Sequence, residues 1–354
     1  MTIARRRPRP PPAACRLPPA ARRLPPAACR LRPAACLPPP GVTLAPVTNT
    51  PPAATTNFTR FAWGVLAANL LVILWGAYVR ASGSGAGCGN HWPLCNGEVV
   101  PHSPRLQTVI EFTHRAMSGV AMLAVIGLGG WSVLRFPPGH RVRKATIYAM
   151  VFFAAEALLG AGLVLLQLVA QNASAGRAFY LAMHLVNTEF LLAALALSVW
   201  FSRDAAPPQS RPSAMVATTL PLAIVVSITG VIAALGDTLF PAASLAEGMR
   251  QDLSSSASFL IQLRSAHPVL AILAAAYFLV VAVSVMRSKP LPLTSQIALG
   301  VLVLSIAQLC AGAINLVLLA PIGMQILHLL LADLLWIALV LLTVQATEFA
   351  DRRS

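Results

Sequence analysis

Acidic residues are scarce in this chain of 354 residues, which has 11 Asp and Glu against 26 Lys and Arg, and charged residues make up only 10% of it. Soluble domains carry about 25% charged residues. Together with 57% hydrophobic residues and a mean hydropathy of +0.72, this argues strongly against a soluble globular enzyme. Six cysteines are too few for a disulfide-rich scaffold. The composition therefore predicts a helical membrane protein with several spans.

The formal net charge of +15 suggests a nucleic-acid partner, but the excess is concentrated near the N-terminus. Residues 1–60 contain ten Arg and no acidic residue, so the rest of the chain has a net charge of only +5. No basic patch interleaved with aromatic residues remains there. We therefore expect no nucleic-acid partner.

Residues 1–60 also contain 15 of the 29 prolines, in near-copies of one phrase such as RLPPAA at 16–21 and RLPPAACR at 23–30. Proline at this density blocks helices and removes backbone donors. One interpretation is a disordered cytoplasmic tail rich in Pro, Ala and Arg. A misplaced translation start is favoured over it, since the next methionine after Met1 is Met117, inside the predicted membrane region. Cys15, Cys29 and Cys36 belong to this segment and receive no role.

The remaining chain contains eight apolar stretches long enough to cross a bilayer, which takes about 20 residues each. They are about 62–80, 108–134, 146–169, 178–201, 214–236, 265–286, 293–318 and 324–347. Lys and Arg are concentrated in the loops of one side, ten against five without the tail. The excess of positive charge on the cytoplasmic side of membrane proteins predicts that both termini are cytoplasmic and that loops 81–107 and 237–264 face outward.

The chain is an internal duplication. Glu156-x3-Gly160 in the third span matches Gln308-x3-Gly312 in the seventh at an offset of 152 residues, and Gly76 matches Gly230 at 154. His184 with Glu189 matches His328 with Asp333 at 144. We therefore predict an all-α membrane protein of two pseudo-symmetric four-helix bundles, residues 61–205 and 206–354.

Four of the seven histidines lie one per even-numbered span, each near the outer end: His114, His184, His267 and His328. Ionisable groups inside a membrane are costly and indicate function. Two facing imidazoles per bundle are what a six-coordinate haem iron needs. A structural zinc ion is less favoured, because it needs four close ligands.

Glu111 stands three residues before His114, so the two share a helix face, whereas Arg264 stands three residues before His267. Glu111 could simply reach the membrane surface or pair with Arg115 or Arg80. The alternative is an acid/base or water-positioning group beside one haem only.

Cys88 and Cys95 lie in the first outward loop, where a disulfide can persist. A staple that holds the loop in place is at least as good an explanation as redox work. The lone Cys310 in the seventh span is expected to pack in the core.

The stretches GAYVRASGSGAGCGNHWPLCNG (76–97) and VIEFTHRAMSG (109–119) resemble the bacterial haem A synthases. The resemblance covers about residues 62–347. It implies that haem O is oxidised at its C8 methyl to a formyl group, giving haem A for terminal oxidases. Many members of that family have a second cysteine pair in the third outer loop, whereas 237–264 has none.

Carried over by position, the resemblance assigns a role to each candidate residue. Haem b is the implied cofactor, held by His267 and His328, and His114 and His184 flank the substrate haem. Glu111 is the catalytic carboxylate and Cys88–Cys95 the loop disulfide. Arg80, Arg115 and Arg264 are candidates for contacts with haem propionates or with the loops.

The implied setting is the plasma membrane. Haem O synthase, assembly factors of terminal oxidases and an electron acceptor are the implied partners, and a homo-oligomer is left open. A di-haem electron-transfer protein with bis-histidine ligation is the alternative function. A transporter of two repeats is a third hypothesis, disfavoured because no Gly/Pro-broken half-helices with midplane charges are present.

Overall fold

The computed structural model describes residues 53–203, 212–254, 256–288 and 290–350. Most of the predicted tail, including Cys15, Cys29 and Cys36, lies outside these residues. Within the described ranges all the regular elements are helices: α1 Ala53–Ala81, α2 Leu106–Arg135, α3 Arg141–Leu165, α4 Ala175–Phe201, α5 Ala214–Ala217, α6 Thr219–Leu239, α7 Leu245–Asp252, α8 Phe259–Arg264, α9 Ala266–Arg287, α10 Pro292–Val317 and α11 Ile322–Ala350.

Eight helical stretches in the described residues are long and apolar enough to cross a membrane. Spans 1 to 8 are Thr56–Ala81, Leu106–Arg135, Arg141–Leu165, Ala175–Phe201, Ala214–Leu239, Phe259–Arg287, Pro292–Val317 and Ile322–Gln345. The prediction of an all-α, multi-pass membrane protein with eight spans is confirmed.

Two spans contain a break in the helix, one inside the predicted span 214–236 and the other at residue 265, where span 6 was predicted to begin. Span 5 consists of α5 and α6, which join at Thr218, and span 6 consists of α8 and α9, which join at Ser265. Each break lies three residues before a proline, Pro221 or Pro268. Proline lacks a backbone N–H and its ring clashes with the carbonyl four residues earlier, which accounts for both interruptions.

The predicted end of span 3, residue 169, was wrong by four residues. Gln167 has a φ of 55°, and Leu319 after span 7 has a φ of 62°. A residue in the left-handed region ends a helix and turns the chain away. These two residues are 152 apart, the offset of the duplication, so both repeats end this span in the same way.

The four spans of each half form a closed ring, in which every span contacts two others. Span 1 contacts spans 2 and 4, and span 3 contacts the same two, while in the second half spans 5 and 7 each contact spans 6 and 8. Further contacts join span 4 to spans 5 and 8, and span 1 to span 8. The symmetry of two separate bundles stays a prediction.

The two large clusters of buried apolar side chains lie at the same end of the spans, away from the four histidines. The first includes Phe58, Leu128 and Leu192, and the second includes Val281 and Val301. In every span that contributes, these residues lie toward the end opposite the four histidines. The histidine ends of both halves therefore lie outside the main packed core.

Large apolar side chains cover much of the outer surface of the helices, for example Leu71, Leu123 and Leu158, each at least 60% exposed. In a bilayer these side chains face lipid. Cys310 belongs to the same surface and is exposed, so the prediction that it packs in the core was wrong. A small polarizable thiol is tolerated beside lipid chains as it is in a core.

Candidate functional site

Each of the four intramembrane histidines packs against a glycine of the preceding span. The pairs are His114 with Gly76, His184 with Gly160, His267 with Gly230 and His328 with Gly312. A Cβ atom at Gly76, Gly230 or Gly312 would lie 2.9, 3.0 or 3.1 Å from Cε1 of the facing ring. Only glycine allows an imidazole so close to a neighbouring backbone. At Gly160 the added Cβ would lie 3.9 Å from Cε1 of His184, an ordinary contact. The repeat thus places each histidine ring against a glycine, here called a histidine seat, and three of the four seats are tight.

The second-half histidines face each other. The ring centroids of His267 and His328 are 6.4 Å apart, with an angle of 84° between the ring planes. Nδ1 of His267 lies 3.1 Å from the hydroxyl oxygen of Thr229. Nε2 of His328 lies 3.3 Å from the amide nitrogen of Gln308. In each ring a polar neighbour engages one nitrogen, and the other nitrogen is left for a ligand.

This spacing fits an iron ion between the two rings. Bonds of about 2.0–2.1 Å from a metal to imidazole nitrogens place the ring centroids on its two sides about 6 Å apart. Within the described ranges no group of three or more His, Cys, Asp or Glu residues could hold a bare metal ion. A haem supplies four equatorial nitrogens itself and needs only two axial ligands. The residues of the second half therefore fit a haem.

The first-half histidines have a different environment. Nδ1 of His184 lies 3.3 Å from Oε1 of Glu156, an ion-pair distance without the alignment of a hydrogen bond. Nδ1 of His114 is buried and has no partner among the described residues. A buried polar atom without a partner is costly, which is consistent with a ligand at this end of the helices.

Glu111 is buried, with 3% of its surface exposed. Its Oε2 accepts a 2.8 Å hydrogen bond from the backbone N–H of Cys88, and its Oε1 accepts one from the guanidinium of Arg115. Of the two arginines considered for this carboxylate, the structure therefore places Arg115 against it. Glu111 does not simply reach toward the membrane surface; it connects span 2 to the loop above.

The first long loop, residues 82–105, is closed over span 2. Cys88 and Cys95 are joined by a disulfide and both are buried. Arg115 donates hydrogen bonds to the backbone oxygens of His91 at 2.7 Å and Leu94 at 2.6 Å. The same guanidinium thus joins the catalytic candidate Glu111 to the cysteine loop.

At the rim of this loop, Glu98 accepts a hydrogen bond from the backbone N–H of His102 and lies 3.1 Å from its Nδ1. These hydrogen bonds, that from the backbone first, lower the pKa of Glu98 below its usual value. Glu98 is exposed.

The second long loop, residues 240–258, is held by ion pairs instead of a disulfide. Arg264 donates to Asp237 at 3.1 Å and to Asp252 at 2.6 Å, and its second terminal nitrogen lies 3.4 Å from the oxygen of Gly248. Arg264 and Glu111 occupy equivalent positions three residues before a histidine. Each ties down the loop of its own half, with opposite charge.

Arg80 links the two halves. It donates hydrogen bonds to the backbone oxygen of Ala234 and the hydroxyl of Thr238, both at 2.8 Å, and to Oε1 of Gln325 at 2.9 Å. Its partners lie in spans 5 and 8. The expected contact with the loops is found for Arg115 and Arg264, whereas Arg80 contacts the other half of the protein.

Three polar groups near the histidines received no role from the sequence, namely Thr229, Glu156 and Gln308. Buried Glu189 and Asp333, which are 4% exposed, are two further intramembrane acids without a role. The indole of Trp336 donates to the backbone oxygen of Glu189 at 2.6 Å and joins spans 8 and 4. The sequence signal that could have found Glu156, Gln308, Glu189 and Asp333 was their equivalent positions in the two repeats. Hydropathy does not predict which side chains these residues contact.

These features define a multi-pass membrane protein with paired histidines at one end of its helices and a disulfide loop over one pair. The family model described as cytochrome oxidase assembly protein, COX15-CtaA, matches residues 59–340. The chain belongs to this family.

Among curated relatives, a protein of Thermus thermophilus named protoheme IX farnesyltransferase is 45% identical over 304 residues, which are 85% of this chain and 50% of the relative. Heme A synthase of Exiguobacterium sibiricum is 38% identical over 98 residues, 28% of this chain and 33% of the relative. Heme A synthase of Shouchella clausii is 42% identical over 95 residues, 27% of this chain and 32% of the relative. The chain thus spans half the length or less of these relatives.

Proposed function

We propose that this chain is a haem A synthase of the plasma membrane, with both termini in the cytoplasm, that oxidises the C8 methyl of haem O to a formyl group. Membership of the COX15-CtaA family supports this, as do relatives named heme A synthase. The structural observation that carries the proposal is a difference between the two halves around their histidines. Both have histidine seats, but among the described residues a buried carboxylate under a disulfide loop is found in the first half alone.

The second half, residues 206–354, is assigned to the cofactor. His267 and His328 would hold haem b, since their rings face each other at 6.4 Å. Haem b bound there would supply one-electron transfer. Thr229 and Gln308 would orient the two rings, because a polar partner on one imidazole nitrogen fixes the direction of the other.

The first half, residues 61–205, is assigned to the substrate haem O, with His114 and His184 on its two sides. Glu111 would hold or accept a proton near the reacting methyl group. The backbone of Cys88 and the guanidinium of Arg115 fix both of its oxygens. The disulfide loop over this end would keep bulk water away from the reacting carbon.

The proposed reaction is two successive hydroxylations at one methyl group. In each, a C–H bond is broken and a C–O bond to an oxygen from water is formed, two protons are released and two electrons pass to an external acceptor. The resulting gem-diol loses one water to leave the aldehyde. An external electron acceptor and oxidase assembly factors are the further partners of this proposal. A haem-farnesylating enzyme would supply the substrate, in line with the name of the Thermus thermophilus relatives.

Pigment analysis tests the proposal. The protein is expressed together with a source of haem O, purified, and its haems are extracted and separated by chromatography. A haem A synthase yields haem A beside haem B. A protein that contains haem B alone and forms no haem A under these conditions is the di-haem electron carrier, and the absence of a Soret band would leave neither function standing.

A further inference from the structure

Two polar side chains occupy equivalent places in the duplication and face the histidine of the following span. Glu156 of span 3 lies beside His184, and Gln308 of span 7 lies beside His328. Each stands four residues before the glycine that seats the ring, Gly160 or Gly312. The two halves therefore place a carboxylate and a neutral amide at the same position of the repeat, the carboxylate beside Nδ1 of its histidine and the amide beside Nε2.

The carboxylate of Glu156 is held by donors on span 4. The hydroxyl of Thr188 donates to Oε1 at 2.5 Å, and the amide of Asn187 donates to Oε2 at 2.6 Å. Oε1 also lies 3.3 Å from Nδ1 of His184. Both oxygens are thus fixed by hydrogen bonds, one of them directly beside the imidazole.

The second half lacks these donors. The residues three and four positions after His328 are Leu331 and Ala332, where the first half has Asn187 and Thr188. Oε1 of Gln308 is buried and has no partner among the described residues. The charged group and the two side chains that hold it therefore occur together in one half and are replaced together in the other.

A negative carboxylate close to the imidazole nitrogen that faces away from a metal attracts the positive side of the ring and makes the imidazole a more basic ligand. A neutral amide gives much less of this effect. A more basic axial ligand favours the oxidised state of the iron that it binds, because that state carries one more positive charge.

We propose that Glu156 is a positioning residue that orients His184 and lowers the reduction potential of the haem iron in the first half relative to that in the second half. The inference rests on the proposed function, since it takes His184 as a haem ligand. It gives the two halves different electronic properties as well as opposite charges at Glu111 and its counterpart Arg264.

The test uses full-length protein that carries His267→Ala and His328→Ala, so that only the first-half seat can take haem. The purified protein is titrated with haemin, and its midpoint potential is measured by spectroelectrochemistry. Glu156→Gln should shift the equilibrium between ferric and ferrous haem about tenfold toward the ferrous form, which is about 59 mV for one electron. Glu156→Asp should recover part of this shift, and Glu98→Gln, an exposed carboxylate of the loop, should cause none.

The reciprocal variant covers the case in which Glu156→Gln does not fold. This variant carries Gln308→Glu, Leu331→Asn and Ala332→Thr, together with His114→Ala and His184→Ala so that only the second half can bind haem. We expect the midpoint potential of the second-half haem to fall by a similar amount. Haemin bound with an unchanged potential in either variant overturns the inference and leaves the proposed function intact. If the parent proteins bind no haemin at all, the proposed function fails and this inference fails with it.

Discussion

The backbone N–H of Cys88 donates a 2.8 Å hydrogen bond to Oε2 of Glu111. This bond joins the disulfide loop to the carboxylate that stands three residues before His114. A loop that looks like a separate feature in the sequence is therefore part of the environment of Glu111. Changes in the loop and changes in the carboxylate should affect the same chemistry.

Glu111→Gln keeps the shape of the side chain and removes its basicity. We expect the protein to fold and to retain haem B, while haem A formation falls by about 10²–10⁴-fold, the usual contribution of a general acid or base. Haem O or a hydroxylated haem should accumulate in the extracted pigments. Glu111→Asp should keep partial function.

The matched control for this experiment is Glu98→Gln, which changes an exposed carboxylate of the same loop and should leave the haem profile unchanged. Wild-type amounts of haem A from Glu111→Gln would remove this residue from the mechanism.

Cys88→Ser opens the ring that the disulfide closes between two cysteines 7 residues apart. A loop of this size contributes about 2–3 kcal/mol in the chain-entropy model. We expect a more mobile loop, faster proteolysis between residues 82 and 105, and lower activity with both histidine pairs in place. Thiol labelling of the untreated protein should find Cys88 and Cys95 blocked until reductant is added.

Exposed Cys310 serves as the positive control for that labelling in a detergent-solubilised sample. Immediate labelling of Cys88 and Cys95 alongside it would count against the disulfide in the isolated protein.

Gly230→Ala places a Cβ atom 3.0 Å from Cε1 of His267, a separation at which the ring must move. We expect the haem b signal of the second half to weaken, with affinity reduced about 10–100-fold as for other changes that misorient a metal ligand. Titration of the purified protein with haemin measures this. Gly300→Ala is the control, since no atom lies within 4 Å of its added Cβ; equal losses in both variants would contradict the seat.

Arg80→Gln removes the charged donor that connects span 1 to Ala234, Thr238 and Gln325. Hydrogen bonds that involve a charged group contribute about 1.5–3 kcal/mol each, so we expect a clear drop in the thermal unfolding temperature in detergent. The exposed Arg105 supplies the control variant Arg105→Gln, and an identical melting curve for Arg80→Gln would show that this contact does not hold the halves together.

Hydropathy and residue spacing were sufficient for the eight spans and the repeat, because a bilayer imposes length and apolarity on every segment that crosses it. The four histidines stood out for the same reason, as polar groups in segments that otherwise exclude them. The prolines Pro221 and Pro268 were a readable signal for the two breaks. The break at Thr218 and the extension of span 6 back to Phe259 were missed because hydropathy places a span without regard to its backbone.

The partners of these residues were decided by the tertiary structure. Spacing made Arg115 a candidate partner of Glu111, because the two are four residues apart on one helix. Nothing in the spacing says that Arg80 reaches spans 5 and 8 instead of Glu111. The same is true of Glu156, whose contact with His184 depends on how spans 3 and 4 rotate against each other. Hydropathy fixes which residues enter the membrane, but a helix in lipid is free to turn about its axis until close packing against its neighbours, here through glycines 76, 160, 230 and 312, sets which side chains meet.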